Sequence, residues 1–426
     1  MRKFLLVLSA ALAALLLSGC AVAAAAEGAV PTPVVLTVST PKPAEEAADA
    51  HLLVASQDDH PALMDLRPDG TFAPAEPASR RELCRALAGM LLNLPAEKKR
   101  FTDLPRLSPD YTEASALCAA GVMTADQDGA FRPEEAVTRG ELSAVLRRLE
   151  NRLSGPAAER AAALAEELSA SEEAEEEPVS RAELARTLVC LAGRTPDEAA
   201  LLIGEHVPAD ADLGDGAWTF IADAVTEGVP EPPGPGVHRA YGWLYAVWED
   251  GTLIRDMDVG VWTFGLDGRY TTGDAELDGY LRDALADSGA NELEGEDALA
   301  AAYLYVKYYG EYLVRPEDME PLEVGATGWE YDRGVRFFRY GGGTCYGFAA
   351  AFGLLARALG EHAYIVSAEV NQYHGAHAFV VIPEDGQDYI YDVELEATRQ
   401  ERHADLALFR LTPTGYYHYW YDPDWG

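Results

Sequence analysis

Cys345, His377 and Asp392 are the residues of this chain that could together do covalent chemistry. The cysteine sits in "RYGGGTCYGFAAAFGLLARALG", between three glycines and an apolar run with helical spacing. Phe348, Phe352, Leu355 and Leu359 follow it at intervals of three and four, so they share one helix face with Cys345. Gly341, Gly342 and Gly343 are poor helix formers, which starts the helix at about Thr344 or Cys345. A thiol held there lies in the field of unpaired first-turn amides, the setting in which cysteines become nucleophiles. The alternative for the same stretch is a small buried hydrophobe, since free cysteine is among the most often buried residue types. A base and an orienting carboxylate further along weigh towards chemistry.

Both are offered by "HAFVVIPEDGQDYIYDVELE", which reads as a β-hairpin around a turn containing Pro383, Asp385 and Gly386. A four-residue loop from Pro383 to Gly386 pairs Ile382 with Gln387, Phe379 with Ile390, and His377 with Asp392. Directly opposed Cβ atoms lie about 4.5–5.5 Å apart, close enough for a carboxylate to hold the imidazole. A two-residue Asp-Gly turn shifts the pairing instead and puts Glu394 opposite His377. His374, three residues before His377, would point to the other face of a strand, so the two form no joint metal site. We place His374 in the loop before the strand and expect neither a metal nor a cofactor. His362, His403 and His418 have no readable partner pattern.

The elements that must position these groups lie on both sides of the cysteine. "AELDGYLRDALADSG" and "GEDALAAAYLYVKYYGEYL" read as helices leading towards it. Before them, residues 237–273 alternate and carry Asp250-Gly251 and Asp267-Gly268 turn signals, giving a small β-meander. The Pro-rich "VPEPPGPG", residues 229–236, is a spacer and domain boundary.

Ahead of the spacer the chain repeats itself. "ASRREL", "VTRGEL" and "VSRAEL" are matching helix starts, and the first two follow similar loops, "PDGTFAPAEP" and "QDGAFRPEEA". A second element recurs as "FTDLPRLSPDYTEASALCAAGV" and "VPADADLGDGAWTFIADAVTEGV". Ser79, Thr138 and Ser180 stand three residues before Glu82, Glu141 and Glu183, the spacing of a capping box. Capping does not explain Arg80, Arg139 and Arg181, cations in a first turn where the helix dipole disfavours them. Beside free helix amides, such cations suit an anion. Residues 151–177, with "AAERAAALAEELSASEEAEEE", read as a solvated acidic helix and linker.

These repeats resemble S-layer homology domains, with Ser/Thr-Arg-x-Glu in place of the usual Thr-Arg-Ala-Glu. The resemblance places two units in residues 48–150 and a third in 178–228. It implies attachment to an anionic cell-wall polysaccharide, with Arg80, Arg139 and Arg181 as polymer contacts. "GGGTCYGFAAAFGLLARALG", "HAFVVI" and "YIYDVELEA" in turn are similar to the motifs of the transglutaminase-like superfamily, over residues 274–426. That likeness implies an α+β, papain-like domain in which Cys345 is the nucleophile, His377 the general base and acid, and Asp392 the orienting carboxylate. Phe379 stands where the family often has Trp. The implied oxyanion donor is an aromatic or amide side chain beside the cysteine's own N–H, with Tyr340 and Trp329 as candidates. The expected fold is thus multidomain, with helical repeats, a small β-meander and an α+β transglutaminase-like domain.

Compartment and charge complete the reading. "MRKFLLVLSAALAALLLSGC" has a basic start, an apolar run too short for a comfortable membrane span, and small residues, as in a secretory signal. Its Leu-Ser-Gly-Cys ending resembles a bacterial lipobox, so residues 1–20 are expected to be the signal, Cys20 the lipidated residue, and residues 21–47 a tether. The membrane is then met only through Cys20. Asp and Glu number 71 against 33 Lys and Arg, a net charge of −38 that repels nucleic acid. Cys84, Cys118 and Cys190 lie in helix-like apolar sequence and read as buried thiols, with a disulfide between two of them as the alternative. The expected protein is an extracytoplasmic thiol enzyme, held at the bacterial wall and acting on protein or peptide amides. The alternative is a wall-binding scaffold whose C-terminal domain is inactive.

Overall fold

The computed structural model describes residues 51–56, 58–96, 98–169, 175–318, 322–370, 375–400, 406–413 and 419–421. Cys20, the tether, His374, His403 and His418 lie outside them. The repeat region comprises β1 (Leu53–Val54), α1 (Arg80–Met90), β2 (Leu91–Leu92), α2 (Tyr111–Ala119), α3 (Arg139–Glu150), α4 (Pro156–Leu168), α5 (Arg181–Ala192), α6 (Glu198–Ile203) and α7 (Ala217–Val225).

The three matching helix starts close into a ring. Ala78 N donates to Val179 O, Val179 N to Val137 O, and Val137 N to Ala78 O, each at 2.8 Å. An ion-pair ring runs around the same centre: Arg80 reaches Glu141, Arg139 reaches Glu183 at 2.9 Å, and Arg181 reaches Glu82. Each arginine thus binds the glutamate of another repeat, which offsets the cost of a cation in a first turn. Ser79, Thr138 and Ser180 all cap the amide three residues on, but the reciprocal half of the capping box forms only at Glu82. All three glutamates are engaged by arginines across the ring.

The second repeated element holds the loops. Asp103 accepts from the Phe131 and Arg132 amides at 2.7 and 2.6 Å; Asp210 accepts from those of Phe72 and Ala73 at 2.6 and 2.7 Å. The element beginning at Val207 therefore completes the loop of the first repeat, far away in sequence. The amides of Leu63 and Met64 add to this closure by donating to Ala224 O. In the region expected to be a solvated linker, α4 packs on α3 and buries Ala161, Leu164, Ala165 and Leu168. Its glutamates lie on the outer side, while Arg160 Nε donates to Leu191 O at 3.1 Å.

From the spacer onwards come β3 (Gly236–Ala240), β4 (Trp243–Val247), β5 (Met257–Val259), β6 (Trp262–Phe264), β7 (Tyr270–Thr271), α8 (Ala275–Ser288), α9 (Gly295–Tyr309), β8 (Glu311–Tyr312), α10 (Glu330–Tyr340), β9 (Gly342–Gly343), α11 (Cys345–Ala358), β10 (Tyr364–Val370), β11 (Gly375–Glu384), β12 (Gln387–Tyr391), α12 (Val393–Arg399) and β13 (Tyr419–Trp420). The expected meander is two small sheets, β3-β4 and β5-β6-β7. Their first tight turn falls at Tyr241-Gly242, where both φ values are positive. The spacer does not separate two bodies: Tyr245, Val247 and Leu253 share an apolar cluster with Leu201, Leu202 and Trp218 of the repeat region.

A four-stranded antiparallel sheet, ordered β12-β11-β10-β13, backs α11. Helix and sheet meet closely at Gly353, where an added Cβ would stand 2.3 Å from Ile365 Cγ1. Phe348, Phe352 and Leu355 fill the core beside it. We expect Arg80→Ala to destabilise the repeat region by about 3–5 kcal/mol, because Glu141 is left without its buried partner, whereas Arg139→Ala at a more exposed pair costs at most about 1 kcal/mol. Denaturant unfolding of the two variants checks this difference.

Candidate functional site

Glycine geometry fixes where the cysteine stands. Gly341 ends α10 in the left-handed region, and Gly342, at φ 149°, runs so close to the neighbouring strand that a Cβ would meet Glu311 O at 2.0 Å. Glu311 N donates to Gly341 O and Leu313 N to Gly343 O, both at 3.0 Å. Thr344 then caps α11 through its extended backbone, and Cys345 is the first helical residue. The first-turn amides of α11 have no partner within their own helix.

The hairpin register differs from the four-residue loop first considered. Pro383 pairs with Asp388 and Glu384 with Gln387, leaving Asp385-Gly386 as a two-residue turn. Both turn residues have positive φ, 52° and 78°, as a type I′ turn requires. His377 and Asp392 are therefore not cross-strand partners. They meet all the same, because the ladder ends at Tyr391 and Asp392 turns inward to begin α12. His377 Nε2 lies 2.8 Å from Asp392 Oδ2, with the two residues 5 % and 1 % exposed. Glu394, the residue that the tighter turn was expected to put opposite His377, is also buried, its Oε2 3.9 Å from Nδ1.

Cys345 lies near enough to act on the same imidazole electrostatically, so His377 is influenced by thiol and carboxylate together. Burial disfavours the imidazolium, but the Asp392 charge and hydrogen bond, with Cys345 added, hold His377 well above the usual histidine range. Burial likewise raises the Glu394 carboxyl, an effect that the His377 charge opposes.

Sequence reasoning missed the groups that hold Asp392. Tyr419 OH donates to Oδ2 at 3.0 Å, Leu395 N to Oδ1 at 3.1 Å, and Tyr303 OH to the main-chain oxygen at 3.1 Å. Behind them, Glu396 accepts from Lys307 Nζ at 2.7 Å and from Tyr303 OH at 2.9 Å. Residues 393–396, which the sequence reads as the end of the hairpin strand, instead begin a helix, and no local pattern links Tyr419 or Lys307 to Asp392. Of the two oxyanion candidates, the Trp329 indole is committed to Ala326 O at 2.8 Å, and Tyr340 is half-exposed under Arg315.

His377, Asp392 and Glu394 each offer a ligand atom within 4.8 Å of the others. The 2.8 Å hydrogen bond is shorter than the roughly 3.3 Å that separates two tetrahedral zinc ligands with bonds of about 2.0–2.1 Å. The arrangement is that of a hydrogen-bonded pair. Among the described residues Cys84, Cys118, Cys190 and Cys345 are free, and burial raises the first three thiols.

In the repeats, Arg80 is buried with Nε on Phe131 O at 2.8 Å and Nη2 on Thr124 O at 2.9 Å. Arg181 is held the same way by Phe72 O and Asp65 O, over the Phe72 ring. Both guanidiniums point into the protein, while the Arg139 side chain is 35 % exposed. The family model of the S-layer homology domain matches residues 100–143, from the Phe101 lead-in into α3. No transglutaminase-like family model matches, and no match was found among curated proteins or solved structures. The chain carries an S-layer homology domain and is accordingly a cell-surface, cell-wall-binding protein.

A raised histidine stabilises the fold fully below its unfolded value of about 6.5, and that contribution is lost as pH rises through the folded value. Asp392→Asn keeps the shape but removes the charge. We expect its melting temperature to fall several degrees below wild type near pH 6 and the gap to narrow by pH 9, as read by thermal unfolding at the two pH values.

Proposed function

We propose that the protein is a wall-held thiol enzyme of transglutaminase-like type, acting on protein or peptide amides through Cys345, His377 and Asp392. The observation that carries this reading is the buried imidazole, hydrogen-bonded to Asp392 at 2.8 Å and near enough to Cys345 for the cysteine to favour its protonated form. A packing cysteine needs neither a base nor an orienting carboxylate. His377, held protonated beside Asp392, already carries the thiol proton, and the Cys345 sulfur attacks the amide carbonyl carbon. First-turn amides of α11 are aimed where the tetrahedral oxyanion forms, and losing one such donor costs on the order of 10²–10³ in rate. The C–N bond then breaks, and His377 returns the proton to the departing amine. Water or a second amine attacks the thioester, which gives hydrolysis or acyl transfer.

The S-layer homology region supplies the address. In this reading the repeats bind an anionic wall polymer, with Arg139 as the most outward-facing of the three ring arginines. Arg80 and Arg181 act by holding the Phe131 and Phe72 loops in place. Lipidation of Cys20 would add a membrane tether.

Two measurements test the proposal. Intact-mass labelling with iodoacetamide between about pH 5 and 9 should modify Cys345 below the free-thiol value of about 8.5, and His377→Ala should lose that reactivity. Equal, slow labelling of Cys345 in both proteins would leave a wall-binding scaffold instead. Cys345→Ala should abolish amide cleavage or amine incorporation while binding to purified wall stays unchanged; Arg139→Ala should weaken wall binding and leave labelling intact.

A further inference from the structure

The short strand β8 leaves one of its sides open next to the thiol. It runs parallel to β9 with Tyr312 opposite Gly343, and Gly343 lies two residues before Cys345. Glu311 N donates to Gly341 O and Leu313 N to Gly343 O, so β8 meets β9 through Glu311 and Leu313. Main-chain N–H and C=O groups alternate sides along a strand, and those of Tyr312 therefore point away from β9. They have no partner among the described residues, and Tyr312 is 51 % exposed. The ring of the same residue belongs to the thiol site. Burial, and then the nearby Glu394 and Cys345, raise the Tyr312 phenol above the usual tyrosine range, so a neutral hydroxyl stands near the reacting sulfur.

The chemistry of this edge selects its occupant. An unpaired N–H and C=O on one residue ask for a donor and an acceptor at main-chain spacing, which another extended backbone supplies. Val314, two residues on, is 57 % exposed, so the edge is apolar as well as unpaired. A glutamine side chain or a glycan offers neither the paired main-chain groups nor the apolar side chains beside them. An extended peptide offers both, and one lying on β8 runs past the start of α11.

We propose that the open edge of β8 at Tyr312 is the docking strand for the acyl donor: an extended peptide exchanges hydrogen bonds with the Tyr312 N–H and C=O, sets an apolar residue beside Tyr312 and Val314, and so brings a main-chain amide to Cys345. This rests on the thiol-enzyme reading and narrows its substrate from amides in general to main-chain amides of extended, apolar peptide segments.

The full chain is labelled in parallel with iodoacetamide, with benzyloxycarbonyl-Val-Ala fluoromethyl ketone, and with the same ketone N-methylated at Val. Each ketone forms a thioether with loss of fluoride, and the rate at Cys345 is read by intact mass. The parent ketone should react at least about ten-fold faster than its N-methylated form, the scale of one lost hydrogen bond. Proline cannot donate, yet at an outward-facing edge position it leaves the bonds to β9 in place. Tyr312→Pro should therefore lower the ratio of ketone to iodoacetamide rates about ten-fold below that of Tyr312→Ala, which keeps the N–H. Should Tyr312→Pro lower the unfolding midpoint by more than a few degrees, the two ketones on wild type decide alone. Equal rates for the two ketones, or equal ratios in the two variants, would overturn the docking strand and leave Cys345 a nucleophile. No labelling of Cys345 by any of the reagents below the free-thiol value of about 8.5 would remove the thiol-enzyme reading, and this inference with it.

Discussion

One buried carboxylate ties the C-terminal half together. Asp392 accepts from the Tyr419 hydroxyl, the first-turn amide of Leu395 and the His377 ring nitrogen. Its own amide donates to Leu408 O at 3.0 Å and its carbonyl accepts from Tyr303. The sheet, α9, α12 and the chain's last described strand all converge on this residue. A charge so deeply buried persists only when its oxygens are occupied, and here each has a partner. That requirement explains why the end of β12, the cap of α12 and the imidazole orientation are set by the same side chain.

The repeat region meets a similar demand by closure. Arginines in first turns, alone, would be unfavourable; joined to the glutamates of neighbouring repeats and to loop carbonyls, they become the links of a ring. The ring needs three helix starts but not three identical repeats. Residues 207–228 complete the first repeat's loop, and α4 substitutes for a second-element helix before α5. Buried polar pairing of this kind fixes which partner each element takes, even where its net contribution to stability is small.

The hairpin shows how far local reasoning reached. The strands and the turn residues were legible, whereas the register was left between a four-residue loop and a two-residue Asp-Gly turn, and the start of α12 was read as strand. The contact survived the change of register because it is made beyond the ladder, where backbone pairing no longer dictates position. For the acidic segment ahead of α5, composition misled: the small and apolar residues of α4 recur on one face, and burial of that face outweighs the exposed glutamates.

By itself the sequence determined the helix starting at Cys345, the alternation of β11 and β12, the three repeat starts and the strongly acidic surface. Each follows from spacing, glycine conformation or charge over a few neighbouring residues. Tertiary structure alone decided that Arg80 and Arg181 turn inward, that Tyr419 and Lys307 join the Asp392 network, and that β8 meets β9 through Glu311 and Leu313. Those outcomes depend on which groups are brought within hydrogen-bonding reach across long stretches of chain, and local periodicity carries no record of such distances.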